Sequence, residues 1–210
     1  SLLLRKELHC FCASRTDEGV HALGNFYHFD TESPLADSFI YRLNAILPIE
    51  LSVNRMRECV QPEANARFDA LSRRYRYRIY SKKDPFLFQR AHYFPYRIGK
   101  ELLDESAALL LEQSEFRSFA KRKSQTKTYR CHIMQCYWET QGNELHFVVE
   151  ANRFLRGMVR AMVGTQLLVG RGKISISAFR EIIESGDCTR ADFSVPGYGL
   201  YLVQITYPEA

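Results

Sequence analysis

The sequence lacks most of what would tie it to a redox, secreted or membrane setting. Six cysteines are scattered over 210 residues and no two form a Cys-x-x-Cys pair. That excludes a disulfide scaffold and the common zinc-finger patterns. His9-Cys10-Phe11-Cys12, and Cys131-His132 with Cys136, offer the right residue types for zinc at spacings that fit no common site. The thiols therefore read as reduced, with Cys10 and Cys12 on one face of a strand, where buried small hydrophobes belong. The N-terminal Leu2-Leu3-Leu4 is far too short for a signal peptide or a membrane span. There is no Gly-rich phosphate loop, internal repeat or low-complexity tract. Neither a cofactor nor a metal is expected.

What is present is a globular composition, 46% apolar and 13% aromatic. At 210 residues the chain can bury a sizeable core, as one large domain or two small ones. A net charge of +5 permits a nucleic-acid partner without requiring one, so the clustering of charge matters more than its total.

Aromatic and apolar runs predict strands over 7–13 and 23–31. Ser33-Pro34 signals a helix start, with a helix through Phe39, Ile40, Leu43 and Ile46 that stops before Pro48. A strand follows over 51–60. In 73–80 a period of two puts Tyr75, Tyr77 and Ile79 on one face and Arg74, Arg76, Arg78 and Tyr80 on the other. One face is aromatic, the other basic. A composition shift near 95–99 marks a boundary. An amphipathic helix is expected over 100–113, with Leu102, Leu103, Leu109 and Leu110 inward. Phe116 and Phe119 pin the next loop, and 121–127 carries four positive charges with no apolar residue. Segments 129–140 and 144–151 predict a hairpin across Gln141-Gly142-Asn143. A helix over 154–169 has Arg153, Arg156 and Arg160 recurring on its polar side. A helix starting at Ser175 or Ser177 and ending near Gly186, then a strand over 200–207, complete the chain. Hairpins mixed with helices define an α+β class, a mixed and mostly antiparallel sheet flanked by helices.

The polar stretch Ser14-Arg15-Thr16-Asp17-Glu18-Gly19-Val20-His21-Ala22 lies between strand-like runs. Asp and Gly favour a tight, irregular backbone there, and a loop held between strands can aim a side chain. Arg15 is spaced to pair with Asp17 and keep it ionised. On local chemistry alone the stretch reads first as a solvated turn.

This stretch closely resembles the catalytic loop of the TruA type of tRNA pseudouridine synthase. Three more stretches resemble that family in the same order. They are Ala66-Arg67-Phe68 leading to Arg73-Arg74-Tyr75-Arg76-Tyr77, Ala151-Asn152-Arg153-Phe154-Leu155-Arg156 with Met158-Val159-Arg160, and Gly199-Leu200-Tyr201-Leu202. The resemblance implies a pseudouridine synthase fold of two α/β halves, 1–97 and 98–210, with a central cleft. Members carry a further segment before the loop, so it also implies an N-terminally truncated chain whose first half lacks a strand and a helix.

The resemblance assigns Asp17 as the catalytic carboxylate, with Arg15 holding it charged and oriented. Tyr75 would stack on the flipped uracil and offer its hydroxyl for proton transfer, and Leu200 would wall the base pocket. Phosphate contacts would come from Arg74, Arg76, Lys121, Arg122, Lys123, Arg153, Arg156 and Arg160. The implied substrate is the anticodon stem-loop of tRNA, and the implied setting a cytoplasmic homodimer away from membranes. Glu18, where the family commonly has Ala, adds a negative charge beside the site. Two rivals stay open on the residues alone. One is a non-catalytic RNA-binding module; the other is a hydrolase pairing Asp17 with His21 or His28.

Overall fold

The computed structural model describes residues 3–4, 6–59, 61, 63–122 and 126–208. In chain order the elements are β1 (Phe11–Cys12), β2 (His21–Ala22), β3 (Tyr27–His28), α1 (Phe39–Ile46), β4 (Ser72–Tyr80), β5 (His92–Tyr93), α2 (Lys100–Leu111), β6 (Ile133–Gln141), β7 (Glu144–Ala151), α3 (Met158–Gly170), α4 (Ile176–Ser185) and β8 (Leu200–Thr206). Single 3-10 turns occur at Pro85–Leu87, Arg117–Phe119 and Gly197–Gly199. The chain divides into a smaller unit, Ser1–Ser14 with Phe26–Asp69, and a larger one, Arg15–Asn25 with Ala70–Ala210.

β4 is the centre of the larger unit because its alternation lets each face do a different job. Tyr75, Tyr77 and Ile79 are buried together, and cross-strand register sets them beside Val149, Phe147 and Leu145 of β7. The sheet runs β2-β8-β4-β7-β6, with β5 on the far end of β4. Only β2–β8 and β4–β5 are parallel, so the sheet is mixed and mostly antiparallel. β6 and β7 form the expected hairpin, with Gln141 opposite Glu144 and Gly142 in the left-handed region at φ 58°.

α3 is apolar on nearly every side and is buried accordingly. Its Gln166 is a satisfied polar group within that core. The Gln166 Oε1 accepts from Trp138 Nε1 at 2.9 Å and from Ser106 Oγ at 3.0 Å, joining β6 and α2 to α3. α2 buries Leu103, Leu109 and Leu110 as expected, but Leu102 lies at the surface and Ser106 and Ala107 take the inner stripe. α4 has an ordinary start and stop: Ser175 Oγ caps the Ala178 amide at 3.1 Å, and Gly186 ends it at φ 63°.

The other face of β4 carries Arg74, Arg76 and Arg78, each half-buried. β7 answers two of them with carboxylates. Arg78 Nε and NH2 donate to the two oxygens of Glu144 at 2.8 and 2.7 Å, and Arg74 Nε donates to Glu150 at 2.8 Å. His146, directly opposite Arg78, hydrogen-bonds Glu144 at 3.1 Å; its burial pulls its pKa down and keeps it uncharged.

In the smaller unit β1 and β3 form a two-residue antiparallel ladder, with Phe11 stacked on His28. The strands expected over 7–13 and 23–31 are thus much shorter, and Cys10 is exposed and Cys12 half-buried, not core. Segment 51–60 forms no strand in its described residues. The reason is local: the Asn44 side chain bonds both backbone groups of Val53, at 2.9 and 2.7 Å, replacing a ladder partner. α1 begins at Phe39, not at Pro34, after a turn closed by Phe39 N on Ala36 O. α3 likewise begins at Met158, not at Phe154. Gly157 sits at φ 73°, a left-handed conformation no helix interior accepts. Arg153 and Arg156 therefore precede the helix and do not share its face with Arg160.

The Arg78–Glu144 pair yields a pH-dependent prediction. The Arg78 hydrogen bond holds the Glu144 carboxyl below the usual carboxylate range. A depressed carboxyl stabilises the fold above its unfolded pKa and loses that contribution as pH falls through the folded value. Glu144→Gln is expected to cost about 1 kcal/mol near pH 7. The difference in urea midpoint from the parent should shrink as pH falls through and below the ordinary carboxylate range, vanishing once Glu144 is protonated in the folded state as well. A gap that persists in acid would assign the loss to packing.

Candidate active site

Asp17 sits on the loop that leads into β2. Val20 N bonds Asp17 O at 3.2 Å to close the turn, and Gly19 adopts φ 75°, where a side chain would be strained. β2 then pairs in parallel with β8, His21 with Tyr201 and Ala22 with Leu202, and Leu23 N bonds Leu202 O at 2.9 Å. This registration lays the loop against the Gly197–Gly199 turn that opens β8. Contact there is backbone on backbone. A Cβ on Gly197 would stand 2.4 Å from Glu18 O, and one on Gly19 would stand 3.6 Å from Tyr198 N.

The turn is held from behind by two side chains. Tyr77 donates its hydroxyl to Pro196 O at 2.9 Å, and its ring fills the space a Cβ on Gly199 would need. Arg160 donates from Nε to Val195 O at 2.8 Å and from NH2 to Phe193 O at 3.3 Å. Leu200, the first residue of β8, is buried directly across from Tyr77. Tyr75 is 7% exposed and meets the Phe154 ring edge-on at 5.1 Å. The loop of Asp17, Leu200, Tyr77 and Arg160 thus meet the turn where β8 begins, and Tyr75 lies two residues farther along the ladder, opposite Leu202.

The Arg15–Asp17 ion pair expected from spacing is not formed. Arg15 is exposed, Asp17 is half-buried, and none of the described ion pairs joins them. Residues two apart in a turned loop do not face each other as they would along a strand. Arg74 is neutralised by Glu150. Arg76, opposite Val148, meets no carboxylate across the ladder, and its buried Nε has no hydrogen-bond partner among the described residues.

Arg153 reaches Thr126 Oγ1 at 3.2 Å. Lys121 N bonds Arg156 O at 2.9 Å, which brings those two exposed residues together. Arg122 is exposed beside them, and Lys123 lies outside the described residues. Sequence reading missed Arg117. Its guanidinium lies 5.5 Å over the Tyr129 ring and, with Lys121, Arg122 and Asp187, lines an open hollow of about 330 Å³. It also assigned Tyr77 no role, although Gly197 and Gly199 just ahead of the final strand are a signal that something presses on that turn.

The histidines have other duties. His21 stacks on Tyr201 at 4.6 Å with its Nε2 on Gln89 O at 3.0 Å, and His28 Nδ1 accepts from the Ala66 amide at 3.1 Å. Neither is in place as the acid–base partner of Asp17 that a hydrolase would need. Among the described residues no group of three or more His, Cys, Asp or Glu could hold a metal ion. None of their helices is long and apolar enough to cross a membrane.

A mixed α+β sheet that presents an aspartate loop beside a strand-borne tyrosine agrees with what the chain is similar to. Residues 107–208 match the tRNA pseudouridine synthase family. Over the whole chain, similarity runs to tRNA pseudouridine synthase A of Parabacteroides distasonis, 43% identical across all of this chain and 83% of that protein. The enzyme of the same name from Bacteroides thetaiotaomicron is 42% identical, covering 100% of this chain and 79% of its own length. That of Bacillus subtilis is 35% identical over 93% of this chain and 80% of its own. The chain belongs to the tRNA pseudouridine synthase A family, a family of isomerases.

Among the described residues, Arg160 is the one whose side chain bonds both carbonyls behind the turn. Arg160→Met is expected to destabilise the fold by about 1–3 kcal/mol, because two part-buried carbonyls lose their donors. Arg160→Lys should recover only part of this, since one ammonium cannot span both. Equal urea midpoints for parent and Met variant would show the bonds to be incidental.

Proposed function

We propose that the chain isomerises uridine to pseudouridine in the anticodon stem-loop of tRNA, with Asp17 as the catalytic carboxylate. The observation that supports this is the packing of the loop backbone at Glu18 and Gly19, next to Asp17, on the Gly197–Gly199 turn that leads into Leu200. Full-length similarity to enzymes named tRNA pseudouridine synthase A supports the reaction class. Both the 1–97 and the 98–210 halves then furnish the site, Asp17 and Tyr75 from the first, Leu200 and Arg160 from the second.

In this reaction the bond from ribose C1′ to uracil N1 breaks, the base turns, and C1′ joins C5. The C5 proton leaves and N1 gains one, so no redox partner is needed. Asp17 acts on the sugar or the base while the uracil is detached. Leu200 walls the base and Tyr75 stacks on it, with the tyrosine hydroxyl in reach of the late proton transfer. Arg15, exposed beside the loop, closes on Asp17 when the RNA arrives and holds it oriented.

A stacked uridine leaves its helix at a cost of a few kcal/mol. Lys121, Arg122, Lys123, Arg153 and Arg156 offset it through phosphate contacts. Arg76 adds a charge that no cross-strand carboxylate cancels, and Arg74 and Arg160 contribute the donors their internal bonds leave over. The enzyme works as a homodimer in the cytoplasm.

Asp17→Asn is expected to abolish tritium release from tRNA labelled at uridine C5, with tRNA affinity within about threefold of the parent, because the carboxylate acts in the transition state. Retained release would end the assignment of Asp17. A parent that binds tRNA but releases no tritium would leave an RNA-binding module.

Lys121→Ala with Arg122→Ala should weaken tRNA binding alike for all sequences. The log–log salt dependence should flatten by about one unit per lost contact. An unchanged slope would make the segment a solvated run.

A further inference from the structure

Tyr77 and Tyr75 share a face of β4, yet the structure gives Tyr77 a place of its own. It is fully buried, directly across the ladder from Leu200. Its hydroxyl has a specific partner, Pro196 O at 2.9 Å. Its ring is the floor under Gly199, where an added Cβ would come within 2.6 Å of Cζ. His92 packs against that ring in a T-shaped arrangement, with centroids 6.0 Å apart. On the far side of the same turn, the Gly197 Cα lies so close to Glu18 O that an added Cβ would stand 2.4 Å away. Ring, turn and loop are therefore in successive contact, Tyr77 on Gly199 and Gly197 on Glu18, the residue next to Asp17.

We infer that Tyr77 is a positioning residue for Asp17: its hydroxyl and ring set the height of the Pro196–Gly199 backbone, and that backbone sets where the Asp17 loop rests. The inference rests on Asp17 being the catalytic carboxylate as proposed above. Burial pushes the Tyr77 phenol far up from its ordinary pKa, so the hydroxyl remains a donor to Pro196. A sub-ångström shift in the turn is passed on because backbone meets backbone, with no flexible side chain between to absorb it. Small misplacements of a catalytic group are costly in rate and leave ground-state binding nearly untouched.

The test keeps the ring and removes the bond. For Tyr77→Phe, kcat for tritium release should fall about tenfold while KM stays within about twofold. Amide hydrogen exchange should quicken at Val20 and Leu23, whose bonds to Asp17 O and Leu202 O fasten the loop, and stay unchanged in α2. A core residue with no positioning role would leave kcat alone or loosen all amides together. Either result overturns the inference.

A double-mutant cycle gives an independent check on the ring. Gly199→Ala should be severe in the parent and markedly milder on a Tyr77→Leu background, where the floor has been lowered. Additive effects would mean that ring and turn do not communicate. A parent without tritium release would sink the activity proposed above, and exchange at Val20 would then decide the Tyr77 contact by itself.

Discussion

Two parallel backbone pairs, His21 with Tyr201 and Ala22 with Leu202, decide where the Asp17 loop can lie. A two-residue strand contributes little by itself, so the join must be reinforced. Leu23 N extends the ladder by one bond to Leu202 O, the His21 ring stacks on Tyr201, and His21 Nε2 meets Gln89 O. β8 is in turn paired along its length with β4, and β4 with β7. A loop near the start of the chain thus inherits the rigidity of the sheet centre. What looks in sequence like a short polar turn is anchored as firmly as the strand beside it.

The arginine strand teaches a different point about charge. Alternation along 73–80 was legible because a half-buried strand must repeat every two residues. What the repeat could not tell was which residues stand opposite. Glu150 and Glu144 come from a strand that pairs with β4 only after the chain has folded, and they cancel Arg74 and Arg78. Arg76 lies between them against Val148 and keeps its charge. A run of three alternating arginines is therefore one basic group and two cross-strand ties.

Long periodic segments were readable for the same reason: β4, α2, the β6–β7 hairpin, α4 and β8 lie close to where their patterns put them. The errors gather where one side chain or one torsion overrides a pattern. Asn44 takes the backbone groups of Val53 that a strand would have needed. Gly157, left-handed, delays α3 and moves Arg153 and Arg156 off its face. The candidate site was legible as a motif because Asp17 and Leu200 lie in stretches that resemble a known family. Its mechanics were not, because nothing in the spacing says that Pro196 accepts from Tyr77 or that Gly197 lies under Glu18.

The two tyrosines of β4 show why the motif and its mechanics separate. A period of two places them on one face about 7 Å apart along the strand, and that periodicity alone gives no ground for treating them differently. The neighbours across β8 do. Tyr77 faces Leu200, where the strand has just emerged from a turn of two glycines, so its ring and hydroxyl become part of that turn. Tyr75 faces Leu202, one pleat into the strand and just before a register shift, and turns to the Phe154 ring. The same residue type on the same face is thus committed to the backbone at one position and packed against the Phe154 ring at the next. The division of labour follows from where β8 begins, and that is set by the glycines ahead of Leu200.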